Sequence, residues 1–550
     1  MQTQCLTTRA LAAMIVLVGC RPIVRADILL SNVTVIDVEA GQSVAAQDVL
    51  VKDNLISHVF PHGSQSVEAR AVIDGHVRYV IPGLWDMHAH IRSYDAADVL
   101  PMFIAHGVTG IRDLGLTSFS SIQQWKRDIT DGSLVGPRIL SSGVIIEGAE
   151  PRFPSSISIS SVEEIPRKLD PIFAQGVDLI KIFQNVPGQV FTGIVAYARE
   201  KGLPTAGHIP DEWGQIQAAK SGLGSIEHFW GLEKALSYKE GRLDSIEVNR
   251  LAEVLKAHNT FECPTLINGS FILETERLAE HPELESELFQ SSPAMAYSPA
   301  YFRVWWDGIR RAATAPLKSG DYQDIRNQAA FSRAAVGALA ARGVKFLAGT
   351  DTPNPYLPAG SSLHEELVLL ANAGLSHAEV LRTATIYPAE YFGRTADLGT
   401  VEVGRLADLV VLERNPLENI ENTTSVYAVI ANGRLFATQD LAEIRRAQLR
   451  RLAGYRTTDL DQVIYMEVRR NGIAGARLKF PNLLHDSAIV AQPEHLIRLS
   501  ASLLHAGEAN EARQALEWNR ELFPGDAVTR LQLDSLSSAS RPRRLQPTSR

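Results

Sequence analysis

Hydrophobic residues repeat with two different periods along the chain. At residues 33–36 and 48–51, short β-branched and apolar runs are separated by turn residues, which predicts strands. A second group of such runs returns between residues 398 and 437. Because these β-rich flanks enclose one long middle segment, we expect residues 27–79 and 398–437 to form one composite β-sandwich around an inserted domain.

The middle segment, residues 80–397, alternates short apolar runs with stretches of helical periodicity. This alternation predicts an α/β fold class. Eight strand–helix units fit a (β/α)8 TIM-like barrel. The predicted strands are residues 79–90, 108–114, 138–146, 177–183, 203–210, 225–230, 260–266 and 344–352.

The connection after the seventh predicted strand is unusually long. It runs from about residue 267 to the helix near residue 331 and carries Trp305 and Trp306. Long loops at the C-terminal rim of a barrel often cover the active site. The same aromatic residues could equally pack the inserted segment against itself, and the sequence does not decide between the two.

Residues 438–534 predict an α-helical extension. Residues 494–523 are typical of a helical hairpin, in which Gly507, Ala512 and Pro524 resemble one tetratricopeptide-type repeat. One repeat cannot build a solenoid, because stacked neighbours supply its core. We therefore expect a docking hairpin, followed by a disordered polar tail at residues 535–550.

Composition excludes several classes of function. The 550 residues are 45% apolar and 21% charged, with a formal net charge of -8, which is ordinary for a globular enzyme. That balance offers no footprint for nucleic acid and no polybasic membrane patch. Three cysteines, Cys5, Cys20 and Cys263, are too few for a disulfide framework or a cysteine-rich metal site.

The N-terminus is typical of an export signal, assigned here to residues 1–26. Arg9 precedes an apolar run, residues 10–19, that is too short to span a bilayer. Residues 17–20 (LVGC) resemble the bacterial lipoprotein box, in which Cys20 would become the lipid-bearing first residue. A rival cut after Ala26 would release a soluble protein. We expect a cell-envelope protein, periplasmic or lipid-anchored, with a secreted soluble form as the alternative.

The strongest chemical motif is the pair His88 and His90, which ends an apolar strand that contains Pro82 and Gly83. Residues two apart on a strand point to the same face, so both imidazoles project together. The C-terminal ends of barrel strands carry the catalytic residues of such folds. Two neutral imidazoles on one side of a metal leave coordination positions open, as hydrolysis requires.

Four further polar residues occupy corresponding places. Lys181, His208, His228 and Asp351 end the fourth, fifth, sixth and eighth predicted strands. Each alone has an ordinary structural explanation, because strand-end lysines and aspartates are usually solvated and single histidines are usually packed. Six polar residues at the C-terminal ends of five strands indicate a common site instead.

The order of these residues resembles that of the amidohydrolase superfamily, and in particular its imidazolonepropionase-like and prolidase-like branch. The resemblance covers roughly residues 27–437. It includes the flanking motifs at residues 107–113, 349–352, 384–389 and 404–409.

The resemblance implies a site with two divalent metal ions. His88, His90 and Asp351 would hold one ion, and His208 and His228 the second. Lys181 would bridge them as a carbamate, since a protonated ammonium has no lone pair for a metal. Zinc is the first expectation, although His, Asp and carbamate ligands also accept manganese and other ions.

The resemblance further implies hydrolysis of an amide C–N bond in a small molecule or dipeptide by a metal-activated hydroxide, with Asp351 carrying the proton. A cyclic amide is the alternative substrate. A catalytically inactive scaffold and an envelope adaptor that acts through the C-terminal helices are the non-enzymatic alternatives. His364 is a candidate for substrate contact or for a capping role, and strand alternation predicts that Glu227 faces away from the metals.

Overall fold

The computed structural model of the chain describes residues 23–91, 96–117, 119–149, 156–269, 294–298, 302, 306, 321–454, 460–484, 493–505 and 508–539. Outside these ranges lie residues 1–22 of the predicted leader, with Cys5 and Cys20, most of the long connection including Trp305, the turn at Gly507 and residues 540–550. Residues 23–26 of the predicted leader are described and belong to the first strand. The strands are β1 (Ile23–Asp37), β2 (Gln42–Lys52), β3 (Leu55–Pro61), β4 (Ser66–Asp74), β5 (Tyr79–Pro82), β6 (Leu84–Ala89), β7 (Val108–Asp113), β8 (Arg138–Ser141), β9 (Ile145–Glu147), β10 (Ile157–Ser158), β11 (Ile180–Ile182), β12 (Thr205–Gly207), β13 (Ser225–Glu227), β14 (Tyr238–Lys239), β15 (Arg242–Leu243), β16 (Phe261–Cys263), β17 (Leu409–Leu412), β18 (Val426–Ala431) and β19 (Arg434–Phe436).

The helices alternate with strands in the middle of the chain and follow one another near its end. They are α1 (Ala96–Ala105), α2 (Phe119–Asp131), α3 (Glu164–Ala174), α4 (Gly188–Glu200), α5 (Gln215–Ser221), α6 (Ser245–Ala257), α7 (Asp321–Ala340), α8 (Ser361–Asn372), α9 (His377–Thr383), α10 (Ile386–Tyr391), α11 (Thr438–Gly454), α12 (Leu460–Leu484, interrupted at Gly472), α13 (Pro493–His505), α14 (Ala509–Leu522) and α15 (Ala527–Ala539). Three short 3-10 helices lie at Leu232–Lys234, Met295–Tyr297 and Ile420–Thr424.

Strands from both flanks of the chain pair in one eight-stranded sheet. Its order is β19-β18-β17-β5-β1-β2-β3, and β4 pairs with β1. The junction between the two flanks is the antiparallel pair β17 and β5, in which Leu409 lies opposite Pro82. The buried side chains of this sheet, such as Val33, Val49 and Ile430, form a core of their own. The arrangement of these strands as a sandwich stays a prediction.

The middle of the chain is built on parallel strands. One group has the order β6-β7-β8 and the other β10-β9-β11-β12-β13-β16. The segment 346–352 makes parallel bridges to both groups, through Phe346 to Glu262 and through Thr352 to Ala89. Helices α1 to α10 pack their buried faces against these strands in a single large core. Mixed α/β architecture is therefore present, as the sequence predicts.

The first predicted strand is in fact two strands. The prediction of one strand over residues 79–90 is wrong because the strand is interrupted at Gly83. The Gly83 N–H donates to the Asp408 carbonyl over 2.7 Å. Tyr79–Pro82 joins the flanking sheet, and Leu84–Ala89 joins the parallel strands. A Cβ at Gly83 would lie 1.9 Å from the Thr109 Oγ1, so only glycine fits at this crossing.

The C-terminal helices fall into two groups. Helix α11 packs against α1, and Arg451 pairs with the buried Asp98 over 2.6 Å. Helices α12 to α14 share a separate core in which Leu499, Ala515 and Trp518 are buried. Helix α15 extends through residue 539, so residues 535–539 of the predicted disordered tail are helical. Among the described helices, none has the length and apolar character needed to cross a bilayer.

Candidate metal centre

His88 and His90 are brought to one place by β6 and the segment that follows it. Their ring centroids lie 5.3 Å apart, as expected for residues on the same strand face. The His88 N–H donates to the Asp86 carboxylate over 3.1 Å, and the same carboxylate accepts from the Thr350 N–H and hydroxyl. Asp86 therefore ties the strand that carries His88 to the segment that carries Asp351.

All four predicted histidine ligands use Nδ1 for a hydrogen bond to the protein. This common pattern matters because an imidazole that bonds through Nδ1 leaves Nε2 for a metal. The partners are the Glu227 carboxylate for His88 (2.7 Å), the Gly115 carbonyl for His90 (3.3 Å), the Gln184 side-chain oxygen for His208 (2.5 Å) and the Thr265 hydroxyl for His228 (2.6 Å).

Three of the four rings face Asp351. Its Oδ1 lies 3.4 Å from the Nε2 of His88 and 3.2 Å from that of His90. Its Oδ2 lies 3.8 Å from the Nε2 of His228. His208 completes the group, since its ring centroid lies 5.0 Å from that of His228. Ligand atoms of His88, His228 and Asp351 all lie within 4.8 Å of one another, which is a separation that one cation can bridge.

Burial keeps these groups in the protonation states that bind metals. Desolvation lowers the pKa of His88, His208 and His228, so these imidazoles are neutral at pH 7. Burial alone would raise the pKa of Asp351, but the facing His88, His228 and His90 bring it below its ordinary value. Neutral imidazoles around an ionised carboxylate are the donor set that divalent cations accept.

Lys181, at the centre of β11, lies close enough to His88 and His208 to interact with them electrostatically. Its side chain is 2% exposed, and its Nζ has no hydrogen-bond partner. Burial lowers the pKa of the amine to about 8. The Nε2 of His88 is likewise buried and without a partner. A buried polar atom without a partner costs free energy, so two of them facing one cavity fit a site that is completed by a bound group.

The backbone around Asp351 depends on a glycine. Asp351 itself has a positive φ of 64°, and the preceding segment packs closely on β6. A Cβ at Gly349 would lie 2.7 Å from the Cys263 Sγ and 2.9 Å from the His88 nitrogen. Glycine is required there because any side chain would push Asp351 away from the histidines.

Glu227 corrects one expectation from the sequence. Strand alternation predicts that it faces away from the metals, but its carboxylate accepts the Nδ1–H of His88 and pairs with the fully buried Arg112 over 2.8 Å. The reason is that His228 leaves the extended conformation with a φ of 58°, so that consecutive side chains both reach the centre. Glu227 thus orients one metal-facing ring.

His364 does not join the centre. Its Nδ1 contacts the Thr423 hydroxyl and its Nε2 the His106 carbonyl, both over 2.9 Å. A buried imidazole with both nitrogens bonded to the protein has none left for substrate. The capping or supporting role weighed for His364 fits these contacts better than substrate binding does.

Other residues at the centre went unpredicted. The Oδ2 of Asp351 accepts hydrogen bonds from the amides of Asn268 and Asn354. Gln184 and Thr265 orient two histidine rings. Gln184, Asn268 and Asn354 lie one or two residues beyond a predicted strand end and Thr265 lies inside a predicted strand, but nothing in the local sequence marks them as partners of the centre. Trp306 is buried, and its Nε1–H donates to the Pro353 carbonyl, so it anchors the long connection.

This set of residues matches a known family. The profile of the amidohydrolase family matches residues 79–436. The chain belongs to the amidohydrolase family. Members of this family are hydrolases that act on carbon–nitrogen bonds, and they generally bind divalent metals. The predicted relationship to this superfamily is therefore confirmed.

Curated relatives are distant. Ochratoxinase from Aspergillus niger is 22% identical over 420 residues, which cover 66% of this chain and 76% of the relative. Adenine deaminase 2 from Rhizobium meliloti (strain 1021) is 35% identical over 134 residues, 23% of this chain and 21% of the relative. The chain therefore spans about a fifth of that deaminase.

Solved structures share the fold. A bottromycin amidohydrolase superposes with a TM-score of 0.60 at 24% identity, over 77% of this chain and 90% of its own. A Xaa-Pro dipeptidase with methionine bound in its active site gives a TM-score of 0.56 at 21% identity, over 74% of this chain and 99% of its own. Both likenesses show a shared fold.

Proposed function

We propose that this amidohydrolase family member is a metal-dependent enzyme that cleaves an amide C–N bond in a small molecule or dipeptide. The observation that carries the proposal is the convergence of four imidazoles with fixed Nδ1 hydrogen bonds, one carboxylate and one unpaired buried amine. The names of the relatives, an ochratoxinase and a Xaa-Pro dipeptidase, support this substrate class. The bridged parallel strands support an eight-stranded (β/α)8 barrel as the scaffold.

Two divalent ions, with zinc as the first candidate, would fit the donor set. His88, His90 and Asp351 would hold one ion, and His208 and His228 the other. Lys181 would bridge them after its neutral amine attacks carbon dioxide, forms an N–C bond and releases one proton. The lowered pKa of about 8 supports this step, because it leaves part of the amine unprotonated near neutral pH.

The proposed reaction assigns a proton path to Asp351. Divalent ions, when bound, lower the pKa of water and polarise a carbonyl group. Asp351 accepts the proton of the attacking water and returns it to the leaving amine, so that the C–N bond breaks as a C–O bond forms. The side chains of Glu227, Gln184 and Thr265 keep three histidine rings fixed during this exchange.

Metal analysis joined to a substrate panel tests the proposal. The purified full chain should contain about two zinc or other divalent ions and should hydrolyse at least one of a set of Xaa-Pro dipeptides, N-acyl amino acids and cyclic amides. Asp351→Asn should remove the activity. His62→Asn, which changes a histidine paired with Asp48 in the flanking sheet, should retain it. Absence of stoichiometric metal, or equal turnover by Asp351→Asn, would contradict the proposal.

We also propose export with cleavage before Cys20. Strand β1 begins at Ile23, and Ile23 to Ala26 pair with Ser66 to Ala69 of β4. A cut after Ala26 would remove these paired residues, whereas a cut before Cys20 keeps them. Mass spectrometry of the mature chain from a bacterial envelope should give a lipid-modified N-terminus at Cys20, and Cys20→Ser should abolish the modification. A mature chain that starts at Asp27 would refute this cleavage site.

A further inference from the structure

The general base of the proposed reaction is held by two asparagine amides. The Nδ2 of Asn354 lies 2.7 Å from the Asp351 Oδ2, and the Nδ2 of Asn268 lies 2.8 Å from the same oxygen. The two amides also contact each other, since the Asn354 Nδ2 lies 3.3 Å from the Asn268 Oδ1. The three side chains therefore form a closed hydrogen-bonded triangle.

Both amides stand on backbone that is itself fixed. The Asn268 N–H donates to the Thr265 carbonyl over 2.9 Å. The two preceding backbone N–H groups, of Leu266 and Ile267, donate to the buried carboxylate of Glu366 over 3.0 and 2.8 Å. Asn268 therefore cannot follow Asp351 freely if that carboxylate rotates.

Asn354 is fixed from the other side. Its N–H donates to the Asp351 carbonyl over 3.0 Å, and its own carbonyl accepts the Leu357 N–H. The Trp306 Nε1–H donates to the carbonyl of the preceding Pro353 over 2.7 Å. The long connection and the loop after Asp351 thus meet at the carboxylate.

These contacts give the two oxygens of the Asp351 carboxylate different surroundings. Both lone pairs of Oδ2 are taken by amide N–H donors, whereas Oδ1 faces the Nε2 atoms of His88 and His90. We propose that Asn268 and Asn354 are positioning residues that fix the plane of the Asp351 carboxylate and keep its Oδ1 turned toward His88 and His90. The inference rests on the proposed hydrolytic function.

The alternative is that the amides only hold two rim loops together. The two explanations differ in what the variants change. A loop-holding role predicts that Asn354→Ala and Asn354→Asp lower the melting temperature and leave zinc affinity unchanged, because both remove the Nδ2 donor. A positioning role predicts weaker zinc binding in both, and more so in Asn354→Asp, because the new carboxylate repels Asp351 and turns it away from the histidines.

Zinc affinity, measured by chelator competition on the full chain, tests the inference without any substrate. Loss of a hydrogen bond to a metal-ligating carboxylate typically costs about 10- to 100-fold in affinity or activity. Asn268→Ala and Asn354→Ala should each weaken zinc binding about tenfold, and Asn354→Asp more. On the amide found in the substrate panel, kcat should fall by a similar factor while KM stays within about twofold.

Asn422→Ala is the matched control, since that buried amide donates to the Asn415 carbonyl away from the centre. It should lower the melting temperature and leave zinc affinity unchanged. Zinc affinity and kcat equal to wild type in both alanine variants would overturn the positioning role, while the metal content of the wild type would still support the proposed function. A wild-type chain that binds no zinc would overturn both.

Discussion

The parallel strands bury polar groups in two regions, and the two differ in an instructive way. In the metal centre, the Nε2 of His88 and the Nζ of Lys181 are buried without partners. On β16, Glu262 lies against Gln215 of α5, and the Oε1 atoms of both are also buried without partners. Burial and unpaired atoms are thus common to both regions.

The two regions differ in what can supply the missing hydrogen-bond partners. Burial raises the pKa of Glu262 well above its ordinary value, so the carboxyl keeps its proton. That one proton can donate to the Gln215 Oε1 and complete an acid–amide pair. In the candidate metal centre the two unpaired atoms belong to a buried imidazole and a buried amine beside Asp351, and one added proton cannot give both a partner. Convergence of lone pairs on one point therefore indicates a ligand site, whereas burial alone does not.

Lys181→Met should have the largest effect, because it removes the proposed bridge while keeping an unbranched buried side chain. Zinc content should fall from about two to one or fewer per chain. Activity should fall about a thousandfold, as expected when metal stabilisation worth about 4 kcal/mol is lost. Carbon-13 NMR of the zinc-loaded wild type, prepared with labelled bicarbonate, should show a carbamate signal that the variant lacks.

Lys126→Met is the control for this change, since Lys126 pairs with Asp178 at the start of the same strand region. It should retain both ions. If Lys181→Met keeps two ions and normal turnover, the lysine belongs with Glu262 among the buried groups that need no ligand.

The residues of the candidate centre could be found in the sequence more readily than the residues that support them. His88, His90, Lys181 and His208 could be found because each lies in or directly after a short apolar strand, and parallel strands bring such positions together. Glu227 could not be placed, because its orientation depends on the left-handed backbone of His228, which no neighbouring glycine or asparagine announces.

The fold was predictable to a similar depth. Apolar periodicity located most of the parallel strands, but it joined Tyr79–Pro82 to Leu84–Ala89, since both are apolar and only the crossing at Gly83 separates them. The predicted strand at residues 138–146 is likewise two strands, β8 and β9, which belong to different groups. Asn268 and Asn354 illustrate the remaining limit. Their contact with each other joins loops that lie 86 positions apart in sequence, and no local pattern predicts such a contact.

Glu227→Gln should have the intermediate effect. The change keeps the shape of the side chain but removes the charge that pairs with Arg112 and that accepts from His88. Zinc affinity should fall about 10- to 100-fold, as for other partners of metal ligands. The free energy of unfolding should fall by about 3–5 kcal/mol, because a buried guanidinium loses its partner. Chelator competition and urea denaturation measure the two effects.

Asp408→Asn is the control that separates the loss of stability from the loss of zinc affinity. It breaks the partly buried pair of Asp408 with Arg138, which lies at the junction with the flanking sheet. It should reduce stability and leave zinc affinity unchanged. Wild-type zinc affinity in Glu227→Gln would mean that Glu227 only supports the strands, as alternation along β13 suggests.

Glu262→Gln should have the smallest effect and should leave zinc content and turnover unchanged. A glutamine amide can donate to the Gln215 Oε1 as the protonated acid does, so stability near pH 5 should stay within about 1 kcal/mol of wild type. The free energies of unfolding of the two proteins should diverge as the pH rises. The folded wild type keeps a proton that the unfolded chain releases above its ordinary pKa of 4.5.

Wild-type stability therefore contains a contribution that falls with rising pH above about 4.5, by at most about 1.4 kcal/mol per pH unit, and the variant lacks it. Urea denaturation at pH 5, 6, 7 and 8 should show that the free energy of unfolding of the variant rises relative to that of the wild type at each step. Glu164→Gln changes a partly exposed carboxylate whose pKa is lowered by the Ser160 N–H, and it should show no such gain over this range. Parallel curves for wild type and Glu262→Gln would mean that Glu262 is ionised in the fold. It would then need a cationic partner, and the contrast with the metal centre would fail.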